Sequence, residues 1–217
     1  MRVKTVSSFW FARLSRYLAI CGVLSPLVVI ALVLVGAAVT PGYNHIENTM
    51  SQLSAVGAPH PEWMNAGFIL YGILIIGLSF AVRQQLAPRP GTTIVWLMIM
   101  IHGAGVILTA FFPYNIAITE GMHSLKDASH HLVSIVACSA FIITMLMMVR
   151  MLWADPAWRS VTVISFAAIG VVSILFVFTL IPAFRDIAGL LQRVSALAMF
   201  IYVEALSVKC FILSPDR

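Results

Sequence analysis

Residues 121–131 read GMHSLKDASHH and gather side chains capable of chemistry in a chain otherwise poor in them. On a helix that starts near Met122, His123, Asp127 and His131 fall at i, i+4 and i+8, with His130 at i+7. All four then share one face within about two turns. Imidazole and carboxylate are zinc ligands, and three of them leave a fourth position for water. Water bound to such a metal ionises near pH ~7 and becomes a nucleophile. Glu47 or Asp127 would move its proton. Residues i and i+8 lie about 12 Å apart along a helix, so one ion reaches only neighbours, His123 with Asp127 or Asp127 with His131. The third ligand would come from His45, Glu47 or His60. A plainer alternative needs no metal. Histidines at a membrane boundary cost little, and Asp127 at a helix start favours the dipole or pairs with Arg193.

Two further ionisable side chains, His102 and Glu204, sit in the middle of apolar runs. A charge at that depth costs about 2.5–3.5 kcal/mol on insertion scales. Both are therefore expected to face inward and share a hydrogen bond or a proton. The pair is either a proton relay, or substrate-orienting site, or a polar clip that fixes helix register. Arg193 near the start of the last apolar run would grip a lipid phosphate through two parallel N–H bonds, or anchor the helix end by snorkelling. His102 lies at a different depth from His130 and His131, which argues against paired haem ligands. There is no Cys-x-x-Cys-His, Gly-x-Ser-x-Gly, phosphate loop or His-Glu-x-x-His, and Ser51 has no catalytic frame around it.

The elements that must position these groups are membrane helices. The chain has 217 residues, 61% apolar and 10% charged, with a mean hydropathy of +1.00. Soluble domains average about 45–50% apolar and ~25% charged. Six apolar blocks have the ~20-residue length that crosses a ~30 Å hydrocarbon layer. They lie at about 17–39, 65–82, 93–112, 131–149, 161–181 and 194–211, separated by PGYN, APRPG, FFPYN, ADPAW and PAFRD. The expected fold is all-α, one six-helix membrane bundle with no detached module. The first block is longer than the ~7–15 residues of a signal peptide's apolar core, so it reads as a retained helix. Cys21, Cys138 and Cys210 fall inside apolar blocks and read as small packed side chains rather than a disulfide framework.

Lysine and arginine set the orientation. With six helices, ten of the 13 basic residues fall on the side of the termini and three (Lys126, Arg185, Arg193) on the other. Both termini are thus expected to be cytoplasmic. The basic balance reads as positive-inside bias and contact with anionic lipid rather than nucleic-acid binding. Trp10, Trp96, Trp153 and Trp158 near inner helix ends, with Trp63 near an outer one, read as an aromatic belt. Five of the six histidines and five of the eight acids gather on the outer side. There, Asn44 with Glu47 suggests a capping box, and Ile46, Met50 and Leu53 form an i, i+4, i+7 stripe. A short amphipathic helix over about 45–56 is expected at the membrane surface, as a lid or a seal.

Three stretches carry a family likeness: NTMSQLSAVGAPHPEWMNAGFILYG, then FFPYN with GMHSLKDASHH after it, then GLLQRVSALAMFIYVEAL. They resemble the prokaryotic membrane family called domain of unknown function 998 over nearly the whole chain. An acid often follows the Phe-Pro pair in that family, whereas Tyr114 and Asn115 stand here. The first stretch is also similar, more distantly, to six-helix eukaryotic proteins that remodel lipid anchors. A weaker similarity is to seven-helix zinc-dependent ceramide hydrolases and adiponectin-type receptors. The likeness implies a prokaryotic inner-membrane protein and names no activity. The leading expectation is a protein that binds or hydrolyses a lipid or other amphiphile at the outer leaflet. Its pocket would be built from His123, Asp127, His130 and His131 with Glu47 and His45, and zinc is the candidate metal. The rivals are a non-catalytic membrane subunit, paired with itself or another membrane protein, and a proton-linked transporter using His102 and Glu204.

Overall fold

A computed structural model describes residues 6–113, 125–179 and 181–214. Six long helices carry the fold: α1 (Val6–Ala38), α2 (Pro61–Leu86), α3 (Thr92–Thr109), α4 (Leu125–Leu152), α5 (Arg159–Thr179) and α6 (Ala188–Leu213). Each contains a stretch long and apolar enough to cross a membrane, and the chain is a multi-pass membrane protein. In hydrocarbon a backbone must satisfy its own N–H and C=O groups, which is why helices fill every span. Pro26 inside α1 has no N–H for the carbonyl of Gly22. The Ser25 hydroxyl donates to that carbonyl instead, at 2.9 Å.

The helices form a closed ring in chain order, α6 returning to pack on α1, with α2 also touching α6 across the centre. Close approach comes from missing side chains, the usual device between membrane helices. At the α2–α3 crossing a methyl on Gly72 would collide with the Gly103 carbonyl. At the end bearing the termini, Gln85 Nε2 donates to Ser214 Oγ at 2.9 Å, and Ser214 Oγ lies 3.1 Å from Ser15 Oγ. That triad joins α1, α2 and α6. Arg89 and Asp155 tie two loops at the same end with an N–O distance of 2.6 Å.

The apolar blocks found the helices but undershot most of their ends. Hydropathy registers the hydrocarbon crossing and misses polar first and last turns. Thus α6 starts at Ala188, after a 3-10 turn at Pro182–Ile187, and α2 starts at Pro61. Trp158 does not join an aromatic belt, since it is buried in the core, whereas Trp153 is exposed. The three cysteines are free thiols in helices.

The segment between α1 and α2, here loop one, holds only a 3-10 turn, Met50–Ser54, in place of the expected helix over 45–56. Asn44 does meet Glu47, donating from Nδ2 to Oε1 at 3.0 Å, but its own Oδ1 accepts from Ile46 N at 2.9 Å. That is an Asx turn rather than a helix cap. The reciprocal contact falls five residues later, where Thr49 N donates to Gln52 Oε1. A helix through 45–52 would need the carbonyls of 45–48 for its own bonds, and those carbonyls are taken by α6.

Candidate functional site

The densest polar cluster among the described residues lies where loop one meets the first turns of α6. The first N–H groups of a helix have no partner within it. Here Gly189 N donates to Glu47 O at 3.2 Å and Leu190 N to Ile46 O at 2.9 Å. Gly189 has no room for a side chain, because a methyl there would run into the Asn48 carbonyl. One turn on, Arg193 Nη1 donates to His45 O at 2.7 Å, Asn48 O at 2.8 Å and Gly189 O at 2.9 Å. Its Nη2 donates to the Tyr43 hydroxyl at 2.6 Å. That hydroxyl in turn lies 2.9 Å from Thr49 O and donates to it. Gln192 Oε1 accepts from Met50 N at 2.6 Å. A planar guanidinium with several fixed donors suits such a convergence of carbonyls, where an ammonium would serve only part of it.

The knot shapes local electrostatics. Desolvation pushes the Tyr43 phenol above its ordinary range, against the lowering effect of the Arg193 hydrogen bond and charge. Desolvation, then the positive charge of Arg193, holds His45 below the usual imidazole value. The His45 ring stands edge-on to Tyr43 at 5.3 Å. The side chains of His45, Ile46 and Glu47 are exposed. The knot binds their backbone and leaves these groups pointing outward. At the start of α2, His60 Nδ1 and Glu62 Oε1 lie 3.1 Å apart on the surface.

The expected zinc constellation is only partly in view. His123 lies outside the described residues, as does the side chain of Asp127. His130 is buried, and its Nδ1 lies 2.7 Å from Phe112 O. A carbonyl only accepts, so Nδ1 carries the proton. The His131 ring stands edge-on to His130 with centroids 5.9 Å apart. Among the described residues no three His, Cys, Asp or Glu side chains gather as metal ligands. Both pairs expected to hold the ion, His123 with Asp127 and Asp127 with His131, include the Asp127 side chain, so completion of either by His45, Glu47 or His60 lies outside the described residues. The backbone of His45 and Glu47 is turned toward α6 by the knot.

His102 and Glu204 do not pair. His102 is buried, with Nδ1 3.0 Å from Ala137 O on α4 and Nε2 3.2 Å from the Tyr71 hydroxyl on α2. Nδ1 donates to the carbonyl, so Nε2 accepts from Tyr71. Both nitrogens of a neutral ring are satisfied across three helices. Phe141 packs at 4.5 Å from His102 and edge-on to Tyr202 at 5.5 Å, filling the centre of the bundle. Glu204 is only partly buried and makes no hydrogen bond or ion pair among the described residues. Equal depth did not imply a shared face.

Arg193, expected either to grip a lipid phosphate or to anchor the helix end, donates from both terminal nitrogens to protein acceptors. Sequence reasoning gave no role to Tyr43, Asn48 and Gly189, and placed Gln192 only at the helix end. The available signal was the pairing of Gly189 with Gln192 and Arg193 in one turn at a helix start, but it names no partner. In comparisons with known proteins, a family model described as "Protein of unknown function (DUF998)" matches residues 23–209. No curated protein and no solved structure matches the chain.

Proposed function

The chain belongs to the DUF998 family, and on that footing we propose that it binds the headgroup of a lipid or other amphiphile at the outer leaflet. The loop-one end is taken as exoplasmic, because ten of the 13 basic residues fall on the opposite side. The observation that carries the reading is the Arg193 knot. It holds a non-helical segment rigid at the membrane boundary while His45, Ile46 and Glu47 stay exposed. Preorganised groups lose little freedom on binding, so a fixed loop favours a ligand where a mobile one would oppose it. Ile46, Val56 and Trp63 are exposed apolar groups on the same end, suited to the acyl side of the boundary. The α4 start, with His130 and His131, lies at that end as well.

The reading is one of binding: the Arg193 knot supports it, whereas metal-assisted hydrolysis would rest on His123 and Asp127, whose side chains lie outside the described residues. A relay through His102 and Glu204 has no hydrogen bond to run along. The test is thermal unfolding of the purified protein in micelles with added dihexanoyl phosphatidylethanolamine, phosphatidylglycerol or phosphatidylcholine. A ligand that binds only the folded state raises stability by about 2.7 kcal/mol at a hundredfold excess over Kd. One of the three lipids should give a saturable rise. The double variant His45→Ala, Glu47→Ala should lose it while its midpoint without lipid stays put, since both side chains are exposed. No saturable rise with any lipid, or a rise that the double variant keeps, refutes the reading.

A further inference from the structure

The rim of α6 that no other helix covers carries exposed Leu190, Val194, Leu197, Ile201, Val208 and Phe211. Those positions step by four and three in alternation, with one vacancy in the series. The vacancy is position 204. Glu204 is thus the one polar member of a heptad seam that runs along α6 from Leu190 to Phe211. A lipid-facing helix needs apolar residues there and nothing more. A carboxyl group in that row is out of place, and its depth makes it more so. At 1.5 Å per residue it lies about 24 Å from one end of α6 and ~14 Å from the other, well inside hydrocarbon. No donor among the described residues reaches it.

We propose that this seam is the contact between two copies of the chain, related by a two-fold axis that passes beside Glu204. A protonated carboxyl carries one donor and one free acceptor. Two such groups facing each other across the axis satisfy both reciprocally, with no other partner chemistry. An isologous contact puts the same patch on both sides, and Ile201 and Val208 flank Glu204 at minus three and plus four. Alternating four-three spacing is the pattern by which helices cross at about 20° in a left-handed sense. A single polar residue in such a seam fixes register and copy number. This inference does not depend on the headgroup site, which sits at the loop-one end of the bundle.

The test uses full-length protein in phosphatidylethanolamine–phosphatidylglycerol vesicles, with Cys21, Cys138 and Cys210 replaced by alanine. Single variants Leu197→Cys, Ile201→Cys, Glu204→Cys and Val208→Cys are oxidised. Phe166→Cys on α5, also exposed, is the control. Cross-linked dimers are expected at the four α6 positions and not at the control. In parallel, energy transfer between labelled copies at rising protein-to-lipid ratio reads self-affinity without a cysteine at the seam. Glu204→Ala should weaken it about tenfold, and Glu204→Gln, which still donates and accepts, should retain it. A monomer at every ratio, cross-linking equal at Phe166→Cys, or a Glu204→Ala variant as tight as the parent overturns the proposal.

Discussion

Replacing Arg193 by alanine removes four donated bonds at once, yet they are not equal. The His45 carbonyl is on an exposed residue, and water takes over there. The Gly189 carbonyl keeps its helical partner one turn on. The Asn48 carbonyl and the Tyr43 hydroxyl, both partly buried, lose a charged donor at 2.8 and 2.6 Å. Hydrogen bonds to charged groups contribute about 1.5–3 kcal/mol each. Partial exposure favours the low end, so the loss is about 3–4 kcal/mol, concentrated in loop one. Hydrogen exchange followed by mass spectrometry reads it directly. The amides of Asn48, Met50 and Gln52 are held by Asn44 O, Gln192 Oε1 and Thr49 O. A local loss of ~3 kcal/mol speeds their exchange about a hundredfold. Amides of α3 around His102 should not change. Arg193→Lys should give a partial effect, since one ammonium cannot span the same acceptors. Unchanged exchange over 43–55 in Arg193→Ala would refute the reasoning, as would a loss spread evenly over all helices.

Tyr71→Phe strands His102 Nε2 in the bundle and should cost about 1–3 kcal/mol, read by denaturant unfolding in mixed micelles; no loss would show that the Tyr71–His102 bond contributes nothing. Asp155 has its carboxyl held below the usual range, first by the hydrogen bond from Arg89 and then by that from Ala157 N. A depressed carboxylate stabilises the fold above its unfolded value of about 3.9, and that contribution fades as pH falls through the lower folded value. Unfolding midpoints should therefore drop on acidification more steeply in the parent than in Asp155→Asn, and parallel curves would count against the ion pair.

The helices could be read from the sequence because their signal is local: a run of apolar side chains meets hydrocarbon wherever it lies in the chain. Position along each helix was legible for the same reason, by counting along each run. Azimuth was not. His102 and Glu204 do lie inside helices of membrane-crossing length, but which way each faces depends on neighbours that no count reveals. His102 turned to Tyr71 and Ala137, while Glu204 turned to the rim. Loop one shows the same limit more sharply. Its i, i+4, i+7 stripe at Ile46, Met50 and Leu53 is a fair helix pattern, and local propensity has no competitor in the sequence. The competitor is α6, whose free N–H groups and Arg193 claim the carbonyls a helix would have used. The zinc reading rested on one-helix spacing in a stretch of which His123 and the Asp127 side chain are not described.

The knot also sets an order of events during synthesis. Met50 finds its acceptor 142 residues further along the chain, on the sixth helix. Until α6 is in place, the carbonyls of His45, Ile46 and Glu47 lack the donors that α6 supplies, and the ring of helices stands open between α1 and α5. Loop one is thus made early and takes its shape late. A chain stopped short of Gln192 would leave that loop loose, however well its first five helices had packed.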